Sequence, residues 1–266
     1  MDRDDITSEQ TTGLPDTQEL DQATRDALEA LVRRFRSADG IGMQVLGLVG
    51  GQAENLLERL PMAVRQRLDG ATRAALEVAF DAAHRSRRSV ADRPDWLNTA
   101  VTTAMGAAGG AGGLPTALAE LPVTTTVLLR AIQGIAADEG FDVSDPKVRL
   151  QCLQVFAASG PLSRDDGTDI AFLTTRITLT GAAVHGLIAR IAPRLATVMG
   201  QKLATQTVPV LGAVAGAATN YAFTSYYQEM ARVYFGLRAL ARDGSVDVET
   251  LMREFRLLLH PPKALR

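Results

Sequence analysis

The amino-acid sequence predicts an all-α protein, a single domain of roughly eight to ten helices. Apolar residues recur at intervals of three and four along most of the chain, the spacing of one helix face. No segment combines alternation of apolar and polar residues with enrichment in β-branched residues, as a half-buried strand would. The locally strand-like runs at 124–126 and 177–180 each lie inside a longer helical pattern.

The composition is that of an ordinary globular protein and excludes several classes of function. The chain has 266 residues, 46% hydrophobic and 22% charged, with a net charge of −2. The basic face that nucleic-acid binding requires is not expected, so no nucleic-acid partner is predicted. The single cysteine, Cys152, lies among apolar neighbours and is expected to be buried. The N-terminus is acidic and polar rather than signal-like, so we expect a cytoplasmic location.

The N-terminal part of the sequence is predicted to form a short tail followed by three helices. Residues 1–15 are acidic and lack periodicity, so we expect a disordered tail, with an all-α domain over 16–266. Helix-termination signals predict that the three helices end at Gly40, at Leu60 and at about Arg88.

The end of the third predicted helix is basic, with Arg85, Arg87 and Arg88 close together. Cations at a helix C-terminus offset the helix dipole, so a solvated helix end is one interpretation. A patch that binds anionic lipid is the other, and both stay open at this point.

Two weakly charged runs are expected to form the centre of the domain. The stretch 96–129 contains one charged residue, Glu120, and is interpreted as two helices joined by a glycine-rich bend. The second run follows Pro209, before the charge at Glu229. Glycines four residues apart let two helix backbones approach closely, so we expect the two runs to cross in the core. These glycines are Gly106, Gly109, Gly110, Gly113, Gly212 and Gly216.

Both uncharged runs exceed the roughly 20 residues of a membrane span, so membrane insertion is an alternative to burial. The first run is interrupted by Pro115, Glu120 and Pro122, and consists largely of Gly, Ala and Thr. Those residues add little transfer free energy into hydrocarbon. A glycine-rich bend would also leave backbone groups unpaired in lipid. Burial within the protein is therefore the favoured interpretation.

The remaining helices are predicted from start and stop signals. The last has an apolar face formed by Leu251, Met252, Phe255, Leu258 and Leu259. The predicted ranges are 122–140, 146–160, 170–204 with a break considered near Pro193, 209–242 and 247–260.

Motifs of known enzymes are not found in the sequence, so a non-enzymatic protein without a cofactor or metal is expected. His185 lies in an apolar helical pattern and is expected to be a core histidine rather than a ligand or base. The cluster Asp165, Asp166 and Asp169 is interpreted as a turn and helix cap, since its spacing fits no standard metal loop. Glu120 has no partner that sequence alone identifies.

Two stretches together resemble the EcsC family, named for a bacterial protein encoded beside an ABC transporter. In the first, a glycine-rich run leads to Glu120-Leu121-Pro122 and to a helix with Ile135-Ala136, Gly140 and Asp142. The second contains a Pro-x-x-Gly-Ala-x-x-Gly…Asn pattern. It is matched by Pro209, Gly212, Gly216 and Asn220, and then by Gln228 and Ala231. The resemblance implies a mostly helical protein connected with transport or secretion, and it implies no catalytic residues.

The function expected from these observations is that of an accessory protein at or near the inner face of the cytoplasmic membrane. A carrier of lipid or another apolar ligand, and an enzyme of unrecognised type, are the alternatives. A membrane lipid or membrane protein is the expected partner, and the oligomeric state stays open. Basic residues and the apolar terminal helix are expected to supply the membrane surface, with Arg85, Arg87, Arg88, Arg253 and Arg256 as candidates. The candidates for ligand or partner contact are Glu120, Pro122, Arg130, His185, Asn220, Tyr221 and Gln228.

Overall fold

A computed structural model describes residues 20–49, 57–87, 94–111, 113–158, 173, 183–205, 212–244 and 246–261. The described residues form helices and connecting turns without any strand, so the predicted all-α class is confirmed. Two short 3₁₀ turns lie at Leu57–Arg59 and Val155–Ala157. The α-helices of the described residues are α1 (Gln22–Val49), α2 (Met62–Arg65), α3 (Leu68–Arg87), α4 (Asp95–Ala111), α5 (Gly113–Asp138), α6 (Pro146–Gln154), α7 (Ala183–Thr205), α8 (Gly212–Asp243) and α9 (Val248–Leu259).

Helix α8 lies at the centre of the described structure, in contact with α1, α4 and α5. Its sequence has apolar residues on several faces, which is typical of a helix surrounded by others. Tyr226, Tyr227, Tyr234 and Phe235 are among its fully buried side chains. The α3, α5 and α7 helices pack on one another beside this centre, since α3 contacts both α5 and α7.

Helix termini follow the local signals at several positions. Gly140, where the predicted range 122–140 ends, adopts a positive φ of 78° two residues after the end of α5 at Asp138. Asp145 and Asp247 cap α6 and α9, because the carboxylate of Asp145 accepts one hydrogen bond, and that of Asp247 two, from backbone N–H groups of the first turn. The α8 helix ends at Asp243, before Gly244, again as predicted.

Several predicted boundaries are wrong because glycine and proline do not end the helices there. The α1 helix continues through Gly40 to Val49, and α5 begins at Gly113 and passes through Pro122. The α7 helix likewise continues through Pro193. An internal glycine costs only about 1 kcal/mol relative to alanine, and a proline about 3 kcal/mol. At Pro122, burial of the neighbouring residues Leu121, Thr124 and Thr125 offsets a cost of this size.

The region predicted as two helices over 41–60 and 61–88 is also divided differently. Residues up to Val49 belong to α1, and the chain from Pro61 forms the single turn α2 before α3. The predicted tail over 1–15 and the aspartates at 165, 166 and 169 lie outside the described residues.

The apolar face of α9 packs against α1 instead of facing solvent. Phe255 contacts Phe35 edge to face, with ring centroids 5.8 Å apart. Arg36 of α1 donates hydrogen bonds of 2.9 and 3.0 Å to the carbonyl oxygens of Leu258 and Leu259. These contacts satisfy acceptors that a helix C-terminus leaves unpaired. The expectation that the apolar face of this helix supplies a membrane surface is therefore wrong.

Candidate functional site

The α4 and α8 helices run antiparallel in very close contact, and glycine permits that contact. A Cβ on Gly106 would overlap the carbonyl oxygen of Gly216 and would lie 2.7 Å from Cγ of Asn220. The expected crossing of the two glycine-containing runs is confirmed at this position. Among the other predicted glycines, Gly109 is buried in α4, which also includes Gly110. Gly113 and Gly212 are the first residues of α5 and α8.

A polar cluster is buried where α4, α5, α7 and α8 meet. Its centre is Oε1 of Glu120 on α5, which accepts three hydrogen bonds. The ammonium of Lys202 donates across 3.3 Å, and the amide of Asn220 across 2.7 Å. The hydroxyl of Thr124 donates the third bond, also at 2.7 Å. We call these residues, together with Thr102, the core polar cluster.

Asn220 connects α8 to two other helices at once. Its Nδ2 donates to the carbonyl oxygen of Thr102 on α4 at 2.6 Å as well as to Glu120. The hydroxyl of Thr102 shares a further hydrogen bond of 2.7 Å with the hydroxyl of Thr224. The cluster thereby fixes the relative positions of α4, α5 and α8 along their axes.

The charges of the core polar cluster are almost fully removed from solvent. The side chain of Lys202 is 1% exposed and that of Glu120 is 7% exposed. Burial lowers the pKa of the Lys202 ammonium, and the neighbouring Glu120 carboxylate opposes that shift. Within the described residues, Oε2 of Glu120 and Oδ1 of Asn220 have no hydrogen-bond partner. A buried ion pair of this kind favours one packing arrangement over others rather than adding much net stability.

A groove of about 820 Å³ lies over the same helix pair, on the solvent side of α4 and α8. Small residues, including Ala100, Ala104, Ala107 and Ala217, contribute to its lining. Trp96 and Tyr221 also line it and are 69% and 50% exposed. We call this feature the α4–α8 groove.

One end of the α4–α8 groove is charged. Glu229 and Arg232 line this end and are joined by an ion pair of 2.6 Å. Glu229 also pairs with Arg34 of α1 at 3.0 Å, and Arg232 pairs with Asp95 at the start of α4. Two acidic and two basic groups therefore alternate at this end.

The structure brings together some of the predicted contact residues and separates others. Glu120 and Asn220 share the core polar cluster, whereas Tyr221 and Gln228 line the groove. Gln228 accepts a bond from Thr99 at 3.1 Å and donates one to the Asp95 carbonyl, also at 3.1 Å.

The remaining predicted residues lie elsewhere. Pro122 is inside α5, and Arg130 donates to Ser86 across 2.9 Å. Arg85 is exposed, Arg87 is half-buried, and Arg88 lies outside the described residues. Arg253 and Arg256 are exposed on α9.

His185 is not the core histidine that the sequence predicted. Its side chain is exposed at the first turns of α7, with Nδ1 3.8 Å from Oε1 of Glu77. The face of the helix does not account for this exposure, because Ile188 and Ala192, three and seven residues further on, share the face of His185 and are buried. His185 is exposed because it lies near the start of α7, before the buried part of the helix begins at Leu187.

Sequence reasoning missed Lys202 and Trp96. Lys202 is the last charge before the long uncharged run, and it could have been paired with Glu120 as the lone charges of two apolar segments. Trp96 begins the first run, but a single aromatic residue at a helix start gives no signal of exposure.

The described structure is thus that of an all-α protein whose helices meet around a buried glutamate, lysine and asparagine. A sequence model of the EcsC protein family matches residues 81–240, more than half of the chain. The chain belongs to the EcsC protein family, as the sequence resemblance implied. Comparison with curated proteins and with solved structures gave no significant match.

No helix among the described residues combines the length and the apolar character of a membrane-spanning segment. No group of three or more His, Cys, Asp or Glu side chains among them is arranged to hold a metal ion.

Proposed function

We propose that this protein is a non-enzymatic accessory protein that contacts membrane lipid at the cytoplasmic membrane surface. The observation behind this proposal is the exposure of large apolar side chains beside the α4–α8 groove. Trp96 and Tyr221 line the groove, and Val214, two helical turns from Tyr221 on the same face of α8, is 70% exposed. We call Trp96, Val214 and Tyr221 the α4–α8 face.

The chemistry of the α4–α8 face suits the boundary between water and lipid. Tryptophan and tyrosine have an apolar body and a polar edge, and they are enriched at membrane interfaces. Exposed apolar side chains that share one surface also tend to mark an interaction surface. A connection with transport or secretion is part of the proposal, and its support is the family resemblance.

Vesicle flotation tests the proposal directly. We expect the intact protein to float with phosphatidylcholine vesicles, and the Trp96→Ala/Tyr221→Ala variant to bind at least about a hundredfold more weakly. Removing two aromatic side chains from a lipid contact loses burial of the order of 1.5–3 kcal/mol each. Trp96 is the only tryptophan in the sequence, so a blue shift of its emission reports contact with lipid.

Val78 provides a matched control. It lies on α3, which packs on α5 and α7, and its exposure of 54% is similar to that of Tyr221. Val78→Ser should float as the unaltered protein does. If the unaltered protein stays unbound with neutral and anionic vesicles alike, the proposal is wrong.

Carriage of an apolar ligand is a second candidate function, and the volume of the α4–α8 groove favours it. Pockets of 300–1,000 Å³ are typical of sites for small ligands. Native mass spectrometry of the purified protein should then show a retained lipid mass. Loss of that mass in a groove-filling Ala104→Leu variant would place the ligand in the groove.

A further inference from the structure

The α4–α8 groove differs in chemistry from one end to the other. Because α4 and α8 are antiparallel, the start of α4 lies beside Arg232 and its glycine-containing end beside Gly216. Alanines, including Ala104, Ala107 and Ala217, line the groove toward the glycine end. Glu229 and Arg232 line the opposite end. Trp96 also lies at the charged end, next to Asp95. The groove therefore has an end with several alanines and an end where charged side chains lie beside one exposed indole.

The groove is also long enough to hold an extended molecule. Trp96 and Ala107 both line it and are eleven residues apart on one helix. At 1.5 Å per residue, they are separated by roughly 16 Å along the helix axis. A molecule that fills this length needs an apolar part along the alanines and a polar part beside Arg232.

The charged end selects for the charge of that polar part. Arg34, Glu229, Arg232 and Asp95 alternate in sign and sum to zero. A headgroup with a net charge would gain one attraction and suffer one repulsion here. A headgroup with both charges could place its anionic group toward Arg232 and its cationic group toward Glu229, so that both pairs are favourable.

We propose that the α4–α8 groove binds a single zwitterionic lipid, with its chains along the alanines and its headgroup between Arg232 and Glu229. This inference rests on the proposed contact with membrane lipid and specifies the lipid and its orientation. It also assigns Glu229 and Arg232 as the residues that recognise the headgroup.

A titration with monomeric short-chain lipid tests the inference. Diheptanoyl phosphatidylcholine, kept below its critical micelle concentration, is added to the full-length protein while Trp96 emission is recorded. We expect a saturable blue shift, because the lipid removes water from the exposed indole. Diheptanoyl phosphatidylglycerol, which has the same chains but a net negative charge, should bind at least about tenfold more weakly.

Two exposed alanines give a matched pair of variants. Ala104 lines the groove, whereas Ala74 is exposed on α3 and does not line it. Ala104→Leu should abolish the saturable shift, and Ala74→Leu should leave it unchanged. Glu229→Gln removes one negative charge and should reduce or reverse the preference for phosphatidylcholine over phosphatidylglycerol.

The outcomes separate this inference from the proposed function. The single-lipid site would be wrong if the unaltered protein showed no emission shift with monomeric lipid and if Ala104→Leu floated with vesicles as well as the unaltered protein does. Contact with the membrane would still be supported in that case. A wild-type preference for phosphatidylglycerol would overturn the zwitterionic assignment. A concentration-dependent blue shift without lipid, lost in Ala104→Leu, would show a second copy of the chain in the groove and would also overturn it.

Discussion

At the scale of single residues, Glu120 is the most constrained group of the described structure. Its Oε1 atom accepts hydrogen bonds from residues on α5, α7 and α8, while the whole side chain is nearly excluded from water. A carboxylate in this position depends on the neighbouring ammonium, because an uncompensated buried charge costs several kcal/mol.

Lys202→Met should lower the free energy of unfolding by about 3–5 kcal/mol, because Glu120 would lose its charged partner. Glu120→Gln should lower the free energy of unfolding by a similar amount, since it leaves the ammonium of Lys202 without its carboxylate partner. Urea denaturation measures both effects. Cys152 provides an independent signal, because it is the only cysteine in the sequence and is buried in the native state.

The double variant Glu120→Gln/Lys202→Met distinguishes charge pairing from simple packing. The double variant removes both charges. Its free energy of unfolding should therefore fall by less than the sum of the decreases in the two single variants, with a difference of more than about 1 kcal/mol. Additive losses would show that the two side chains contribute independently and that the ion pair does not matter.

The same residues show what a sequence can and cannot indicate about a site. The sequence indicates Glu120 as a candidate because it is the one charge of its run, and Asn220 because it matches the family pattern. The partner of Glu120 was not identified, because Lys202 is 82 positions away and on another helix. Which distant charges meet depends on helix rotation and crossing, and the sequence pattern specifies neither.

At the scale of helices, the contact between α4 and α8 determines both candidate features. The core polar cluster lies on the inner side of this helix pair, and the groove lies on its outer side. The contact at Gly106 sets the distance between α4 and α8, and the geometry of both the core polar cluster and the groove depends on that distance. A change in that spacing would disturb the buried hydrogen bonds and the groove together.

Substitution of glycine by alanine should have opposite effects at two helical positions. Gly106→Ala should destabilise the protein by about 1–3 kcal/mol or more, because its methyl group meets the backbone of Gly216. Gly134→Ala on α5 should be neutral or stabilise by up to about 1 kcal/mol. Its added Cβ has no neighbour within 4 Å, and alanine favours the helix.

Thermal and urea denaturation of the two variants check this pair. Because the substitution is the same in both, differences in helix propensity cancel to first order. A Gly106→Ala variant as stable as the unaltered protein would mean that α4 and α8 are further apart than described.

Helix boundaries were predicted less well than helix positions. The signals at Gly140, Asp145 and Asp247 act locally and were interpreted correctly. The sequence predicts a helix end at Gly40 and a helix start at Pro122, but both lie inside helices. At Pro122 the buried neighbours outweigh the local preference, and sequence alone does not show how large that packing contribution is.

At the scale of the whole molecule, the structure separates the surfaces that stabilise the fold from those available for binding. The apolar face of α9 is used internally against α1, whereas Trp96, Val214 and Tyr221 remain exposed. The arginines once expected to contact lipid, Arg253 and Arg256, therefore lie on a helix whose apolar side is covered. Leu257 beside them is 46% exposed, but it is a single apolar side chain, so we expect this part of α9 to supply mainly the weaker, salt-sensitive part of membrane affinity.

Three variants should consequently separate stability from membrane binding. Phe255→Ala should lower the free energy of unfolding by about 3–5 kcal/mol, because it removes a fully buried ring. Trp96→Ala should reduce vesicle flotation but change stability by less than about 0.5 kcal/mol, as is usual for an exposed side chain. Arg253→Gln/Arg256→Gln should leave both properties unchanged at physiological salt. If this last variant lost flotation as strongly as Trp96→Ala did, α9 would be the membrane-binding element and the assignment to α4 and α8 would be wrong.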